Sequence, residues 1–281
     1  MRFEKWQALG NDYLILEADE LPWELTAARV RRLCEAHIGV GADGVLLLSP
    51  SPAPQHIAEL RIFNPDGSEA ELSGNGAREA VMYLRRSGRT DRAEFSLLTA
   101  AGPIRPRIIG PSSCAVEMGQ ASTRSPDYPS GNRDGSGRLE AAGRSWSFQH
   151  VSIGNPQCAI VHDNLDQLEL QLVGPPIERH ELFPNRTNVS WFCELGPGRV
   201  RARIFERGVG ETLSSGTGAC GAAVAYHLQG GPSEVAVELD GGTLEVGIAD
   251  DLNLTLTGWA VPVFSGELSP EFLEELDNET Q

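Results

Sequence analysis

The stretch "RIFNPDGSEAELSGNGAR", residues 61–78, can be laid without a gap over "RIFERGVGETLSSGTGAC", residues 203–220. The two Arg-Ile-Phe triplets coincide, Glu69 falls on Glu211, Ser73 on Ser215, Gly74 on Gly216, Gly76 on Gly218 and Ala77 on Ala219. An earlier pair, "LGNDYLIL" from Leu9 and "IGNPQCAIV" from Ile153, keeps nearly the same offset. Gly-rich turns resemble one another in many proteins, but a turn alone does not reproduce the flanking strand residues and their spacing. The chain therefore reads as an internal repeat, with two domains of similar design. The expected division is residues 1–118, residues 119–262, and a C-terminal segment, 263–281, that returns to the first domain.

Around the repeat, "DGVLLLS" (43–49), "AELRIF" (58–63), "CAIVH" (158–162) and "RVRARIF" (199–205) carry the pattern of strands. Each Ser-Gly-x-Gly step is followed by one helical run, expected over 76–86 and 218–228. Both runs read as apolar nearly all round, which places them inside a structure. The fold class that follows is α/β (α+β): two pseudo-symmetric domains, each a mixed, barrel-like β-sheet wrapped around a central helix. Residues 121–145, rich in Ser, Gly, Pro, Arg and Asp, read as loop or linker. The acidic tail "LSPEFLEELDNETQ" reads as a short surface helix with a frayed end.

One motif is set aside. "GVGADG", residues 39–44, has the Gly-x-Gly-x-x-Gly spacing of a dinucleotide loop, but it follows the helical run "TAARVRRLCEAH" and precedes a strand. A dinucleotide site needs the reverse order. These glycines read as a tight helix-to-strand connection.

Composition narrows the function classes. With 23 Lys and Arg against 39 Asp and Glu, the net charge is −16, and no basic cluster offers a footprint for nucleic acid or an anionic membrane. A small-molecule partner is expected. The N-terminus lacks the apolar core of a signal peptide and no run has the length of a membrane span, so the expected location is cytoplasmic. Five scattered cysteines fit reduced thiols, and the six histidines form no ligand-spaced cluster, so no metal is expected. Lys5 is the sole lysine. Pyridoxal phosphate chemistry needs a lysine Schiff base, and a first-strand residue is a poor place for one. No cofactor is expected.

Serine is among the best helix N-caps, so Ser73 and Ser215 could be caps and nothing more. The repeat adds a second reading. A helix N-terminus binds anions through its unpaired N–H groups and its dipole. Two of them, reached through Gly74, Asn75, Gly216 and Thr217, would hold a substrate carboxylate if they face one another across a cleft. Ser73 and Ser215 would then approach from opposite sides. Inversion of a stereocentre requires that arrangement: one group removes the α-proton and another delivers a proton to the other face. Asn11, Asn64, Asn75, Asn155, Asn188, Glu206 and Arg207 supply polar recognition groups at strand ends and turns.

The blocks "LGNDY", "GVGADGVLLL", "FNPDGSEAELSGNGAR", "IGNPQ", "FPNRTNVSWF" and "ERGVGETLSSGTGAC" together resemble the diaminopimelate epimerase family, in order and spacing, over nearly the whole chain. The resemblance implies a cofactor-independent, two-base interconversion of LL- and meso-diaminopimelate, on the route to lysine and cell-wall precursors. It implies recognition of the substrate's non-reacting end by Asn11, Asn64, Asn155, Asn188 and Arg207, with Glu206 near the reacting amino group. It is compatible with a homodimer.

This sequence departs from that family where the chemistry falls. The family has cysteine at the positions of Ser73 and Ser215, and histidine at Gln157. A thiol ionises near pH 8.5, and lower at a helix N-terminus. A hydroxyl is far less acidic and needs a neighbouring base, and no histidine or lysine stands close by in sequence. Cys220 lies more than a helical turn beyond Ser215. Three readings stay open: a diaminopimelate epimerase with serine at its base positions, a related amino-acid isomerase or dehydratase, or a non-catalytic amino-acid binder.

Overall fold

The computed structural model describes residues 1–279. The chain divides into two compact units, one formed by Met1–Val116 with the chain from Gly258 onward, the other by Glu117–Thr257. The first contains β1 (Arg2–Ala8), β2 (Asn11–Glu17), α1 (Ala27–Cys34), β3 (Val45–Ser49), β4 (Ala58–Phe63), β5 (Glu69–Ala70), α2 (Gly74–Arg86), β6 (Leu97–Thr99), β7 (Gly102–Ile104) and β8 (Arg107–Gly110). The chain leaves it within β9 (Ser113–Gln120). The second contains β10 (Ser136–Ala141), β11 (Arg144–Ser152), β12 (Pro156–Val161), α3 (Leu170–Glu178), β13 (Asn188–Gly196), β14 (Arg199–Glu206), β15 (Gly210–Thr212), α4 (Gly216–Leu228), β16 (Glu234–Leu239) and β17 (Gly242–Ile248). The chain returns within β18 (Asn253–Trp259), and β19 (Val261–Glu267) and α5 (Pro270–Asn278) complete the first unit.

Both units share one strand connectivity. In the first, β3 runs parallel to β2, β4 antiparallel to β3, β5 antiparallel to β4, β6 parallel to β4 and β7 antiparallel to β6. In the second, β13, β14, β15, β16 and β17 repeat the same relations, starting from β12. The first sheet has the order β19-β1-β2-β3-β4-β6-β7, and the second unit's strands follow β10-β11-β12-β13-β14-β16-β17-β18.

The sequence explains the layering. Val45–Leu48 in β3 is apolar at every position and buried throughout, as a strand covered on both faces must be. Phe3, Leu14, Leu16, Val45 and Leu47 cluster with Val30 and Leu33 of α1 and Leu276 of α5. The opposite face meets α2, where Leu46 lies so near Gly76 that a Cβ there would stand 2.9 Å from its Cδ2. Gly218 of α4 is held as tightly: a Cβ there would stand 2.7 Å from Ile204 Cδ1 of β14. The last glycine of each Ser-Gly-x-Gly step is thus what lets the first helical turn lie against its sheet. α4 packs against β11, β12, β13, β14, β16 and β17, and its buried run from Gly218 to Tyr226 is mostly Ala and Gly. Small side chains let a helix sit at the centre of a tightly wound sheet.

Three sequence expectations are corrected. Both central helices begin two residues earlier than expected, at Gly74 and Gly216, because the serine itself is the N-cap. α2 is buried but not apolar all round, since Arg78 and Glu79 lie inside with 0% exposure. Residues 121–145 are not all loop: β10 and the start of β11 fall there and pair from Ser136↔Gln149 to Ala141↔Arg144. Leu139, Ala141 and Trp146 point into the core from a stretch whose Gly, Ser and Arg content hid the alternation.

Residues 39–44 do connect helix to strand, with Gly39 N–H bonded to Glu35 O and Val40 N–H to Leu33 O. The tail forms α5, capped by Ser269, and it docks by Leu276, whose carbonyl accepts from Arg29 Nε at 2.7 Å. Residues 280 and 281, where fraying was expected, lie outside the described residues. Among the described residues no helix is long and apolar enough to cross a membrane.

Candidate functional site

The N-terminus of α2 is the centre of the first half-site. Ser73, in extended conformation, accepts a hydrogen bond from Gly76 N–H at 3.1 Å. The Tyr13 hydroxyl donates to the same Oγ at 3.3 Å. Beside them a chain of amides is fixed: Arg78 donates to Asn75 Oδ1 (2.6 Å), Asn75 Nδ2 to Asn11 Oδ1 (3.2 Å), and Asn11 Nδ2 to Asp43 Oδ2 (2.9 Å). Arg78 also donates to Gly74 O at 2.9 Å, tying the chain to the first helical turn. Asn64 follows β4 and its amide donates to Ser68 Oγ at 3.0 Å within the Asn64–Ser68 turn.

The second half-site repeats the cap and alters its partners. Ser215 accepts from Gly218 N–H at 3.2 Å. Its hydroxyl donates to Glu206 Oε2 at 3.1 Å, while Thr212 donates to Glu206 Oε1 at 2.9 Å. The β14–β15 hairpin brings these three residues together. Burial pushes the Glu206 carboxyl above the ordinary carboxylate range, and the two hydroxyl donors pull it back in part. Ser215 is therefore not without a neighbouring base.

Gln157 donates to Asn155 Oδ1 at 2.7 Å, and Asn155 Nδ2 donates to Thr217 Oγ1 at 3.2 Å, so an amide chain reaches the mouth of α4. Asn188 Oδ1 accepts from Arg207 N–H at 2.8 Å, and the Arg207 guanidinium donates to Asn185 O at 3.1 Å. Glu178 secures the same turn. Its carboxylate accepts Gly208 N–H at 3.1 Å and pairs with Arg186.

Within the first unit the structure thus joins Asn11, Gly74 and Asn75, with Asn64 serving its own turn. Within the second it joins Ser215 to Glu206, Asn155 to Thr217 and Asn188 to Arg207, and Gly216 is the first residue of α4. Sequence reasoning missed Tyr13, Asp43, Arg78, Thr212 and Glu178. Tyr13 and Arg78 stand inside the blocks "LGNDY" and "GNGAR" and could have been found there. Glu178 had no such signal, because it reaches Gly208 only through the fold. Among the described residues no group of three or more His, Cys, Asp or Glu could hold a metal ion.

Each unit thus carries a serine-capped helix N-terminus with hydrogen-bonded amides beside it. The profile of the family described as diaminopimelate epimerase matches residues 3–124 and 149–263. The chain is 38% identical over 276 residues to diaminopimelate epimerase 2 of Nostoc sp., covering 96% of each chain. It is 39% identical over 277 residues to the diaminopimelate epimerase of Desulforudis audaxviator, covering 95% of this chain and 99% of that one.

Among solved structures, a phenazine biosynthesis protein of the PhzF family from Bacillus anthracis superposes with a TM-score of 0.69 at 20% identity, over 96% of this chain and 99% of that one. A hydroxyproline epimerase from Agrobacterium vitis gives 0.65 at 17% identity, over 95% and 91%. At such identities these two speak for the fold alone. The repeat, the shared connectivity of both units and the near-complete sequence match establish that this chain belongs to the diaminopimelate epimerase family, a family of cofactor-independent isomerases.

Proposed function

We propose that the protein binds diaminopimelate and moves a proton at its α-carbon, using the serine-capped helix N-termini at Ser73 and Ser215. Asn11, Asn64, Asn155, Asn188 and Arg207 hold the non-reacting end. Gly74, Asn75, Gly216 and Thr217 offer helix N-terminal donors to the reacting carboxylate, and Glu206 lies by the amino group. The observation that carries this reading is the matched pair of serine-capped helix N-termini, each with its own set of oriented amides. In the cell this activity would supply diaminopimelate stereoisomers for lysine and peptidoglycan precursors. The setting would be cytoplasmic and the protein a homodimer.

The α-proton is acidified when the substrate carboxylate accepts hydrogen bonds at the helix mouths, because those donors stabilise the negative charge that develops there as the C–H bond breaks. Removal of the proton also needs a base whose pKa lies near the working pH. A serine hydroxyl alone does not meet that condition, so epimerisation by this chain is expected far below the ordinary range of about 1 to 1,000 turnovers per second.

Calorimetry and thermal shift with millimolar LL- and meso-diaminopimelate test the binding, and proton NMR tests the chemistry. Absence of heat and of any shift would remove the reading. Binding without turnover would favour the amino-acid binder instead.

A further inference from the structure

The two half-sites are chemically unequal. Ser215 is 4% exposed; its hydroxyl hydrogen goes to Glu206 Oε2, and one of its two oxygen lone pairs accepts Gly218 N–H. A neutral hydroxyl is a weak base, so the carboxylate it donates to is the better proton acceptor. Glu206 is more open, and it keeps unfilled acceptor positions, since a carboxylate has about four and Ser215 and Thr212 occupy two.

In the first unit the residue at the position of Glu206 is Asn64, whose amide does not titrate and donates to Ser68 Oγ. Ser73 is surrounded by donors, receiving Gly76 N–H and the Tyr13 hydroxyl. Asp43, a carboxylate bonded into the neighbouring amide chain, is taken up by Asn11 Nδ2 and Asp12 N–H. The capping serine of α4 is therefore bonded directly to a carboxylate, and the capping serine of α2 to a tyrosine hydroxyl in that place.

We infer that Glu206 is the catalytic base of this chain, taking and returning the α-proton on one face, so that exchange with solvent outpaces inversion. This deepens the proposed function and rests on it. In the step, the Cα–H bond breaks as an O–H bond forms on Glu206. The C–H electron pair enters the substrate carboxylate, which becomes an enediolate facing the helix N–H donors. The glutamic acid exchanges its proton with solvent and returns a solvent proton to the same face. Burial of Glu206, by raising its affinity for the proton, brings the carboxylate closer to the pKa such a step needs.

The test uses the full chain in deuterated water with saturating LL-, meso- and DD-diaminopimelate. Mass spectrometry follows deuterium uptake and chiral analysis follows inversion. Deuterium is expected to enter at a retained stereocentre about tenfold or more faster than that centre inverts. Glu206→Gln should lower exchange about 100-fold or more, and Glu206→Asp should restore an intermediate rate. Thermal shift with diaminopimelate shows that each variant is folded and loaded.

Inversion keeping pace with exchange in both directions would overturn the inference. So would a loaded Glu206→Gln variant that exchanges at the parent rate, or a loaded parent that exchanges nothing. In each of these cases the bound ligand leaves the proposed substrate class standing. Failure to bind at all is seen separately in the thermal shift and removes the proposed function itself.

Discussion

Ser73 and Ser215 occupy the same place in their two units, each capping a thirteen-residue helix and accepting the N–H three residues on, at 3.1 and 3.2 Å. Their hydroxyls then part company. Tyr13 donates to one, and the other donates to Glu206. Local sequence makes the likeness, and the next strand or hairpin makes the difference.

Replacing both serines by cysteine should raise epimerisation steeply. The helix N-termini that now cap through hydroxyls would lower the thiol pKa values, giving one thiolate and one thiol. The double variant is expected to gain about 100-fold or more over the parent, a size typical of a positioned acid–base group. Either single variant should gain much less, because inversion needs an acceptor and a donor together. Chiral analysis of LL- and meso-diaminopimelate incubations reads this, and an additive pair of small gains would contradict it.

Removing the caps should separate their structural weights. Ser73→Ala loses an N-cap, worth about 1 kcal/mol. Ser215→Ala loses a cap and also a donor to the half-buried Glu206 carboxylate, and should cost about 2 to 3 kcal/mol. Urea unfolding of the two variants against the parent measures both. Equal costs would mean that the Ser215–Glu206 bond adds nothing to stability.

Arg207 should govern affinity for the substrate's distal carboxylate. Its backbone is pinned by Asn188 and its guanidinium rests on Asn185 O, which leaves other N–H groups for a ligand. Arg207→Ala should weaken diaminopimelate binding about 10- to 100-fold, the value of a hydrogen-bonded charge, with little change in the unliganded melting temperature. Titration calorimetry checks it, and unchanged affinity would move the distal carboxylate elsewhere.

Glu79 makes stability depend on pH. It is wholly buried, and burial holds its pKa well above the usual value of 4.5, against the opposing pull of the Arg78 charge and the Tyr13 backbone N–H. The folded state thus binds this proton more tightly than the unfolded state. The resulting stability is fully present below the unfolded value and is lost as pH rises toward the folded one. Glu79→Gln stays neutral and lacks that loss. Its melting temperature should exceed the parent's near pH 7, and the gap should shrink as pH falls toward 4. A gap independent of pH would show that Glu79 is not buried as a neutral acid.

Some of this protein was legible in its residues one after another. The gapless repeat, the serine before each Gly-x-Gly step, the apolar run of β3 and the inverted order around residues 39–44 are short-range signals. Each depends on a property that a few consecutive residues carry, whether a cap, a period or a turn. The resemblance to the epimerase family rested on the same blocks. What those residues could not say is which side chains meet. Asn75 reaches Asn11 and Ser73 meets Tyr13 because α2 lies on one face of the sheet containing β2. Glu178 holds Gly208 because α3 packs beside the β14–β15 hairpin. Ser215 gained a carboxylate neighbour because Glu206 at the end of β14 meets the helix mouth, and the position equivalent to Glu206 in the first unit, just after β4, is Asn64. Residues 136–141 paired as a strand on the strength of two inward side chains, Leu139 and Ala141, packed beside Trp146 of β11, against their loop-like composition. Sequence by itself determined the elements, the repeat and the caps, since these follow from local backbone preference. Only the tertiary structure decided the protonation partners of the two serines, because burial and hydrogen bonding between distant residues set how tightly a group holds its proton.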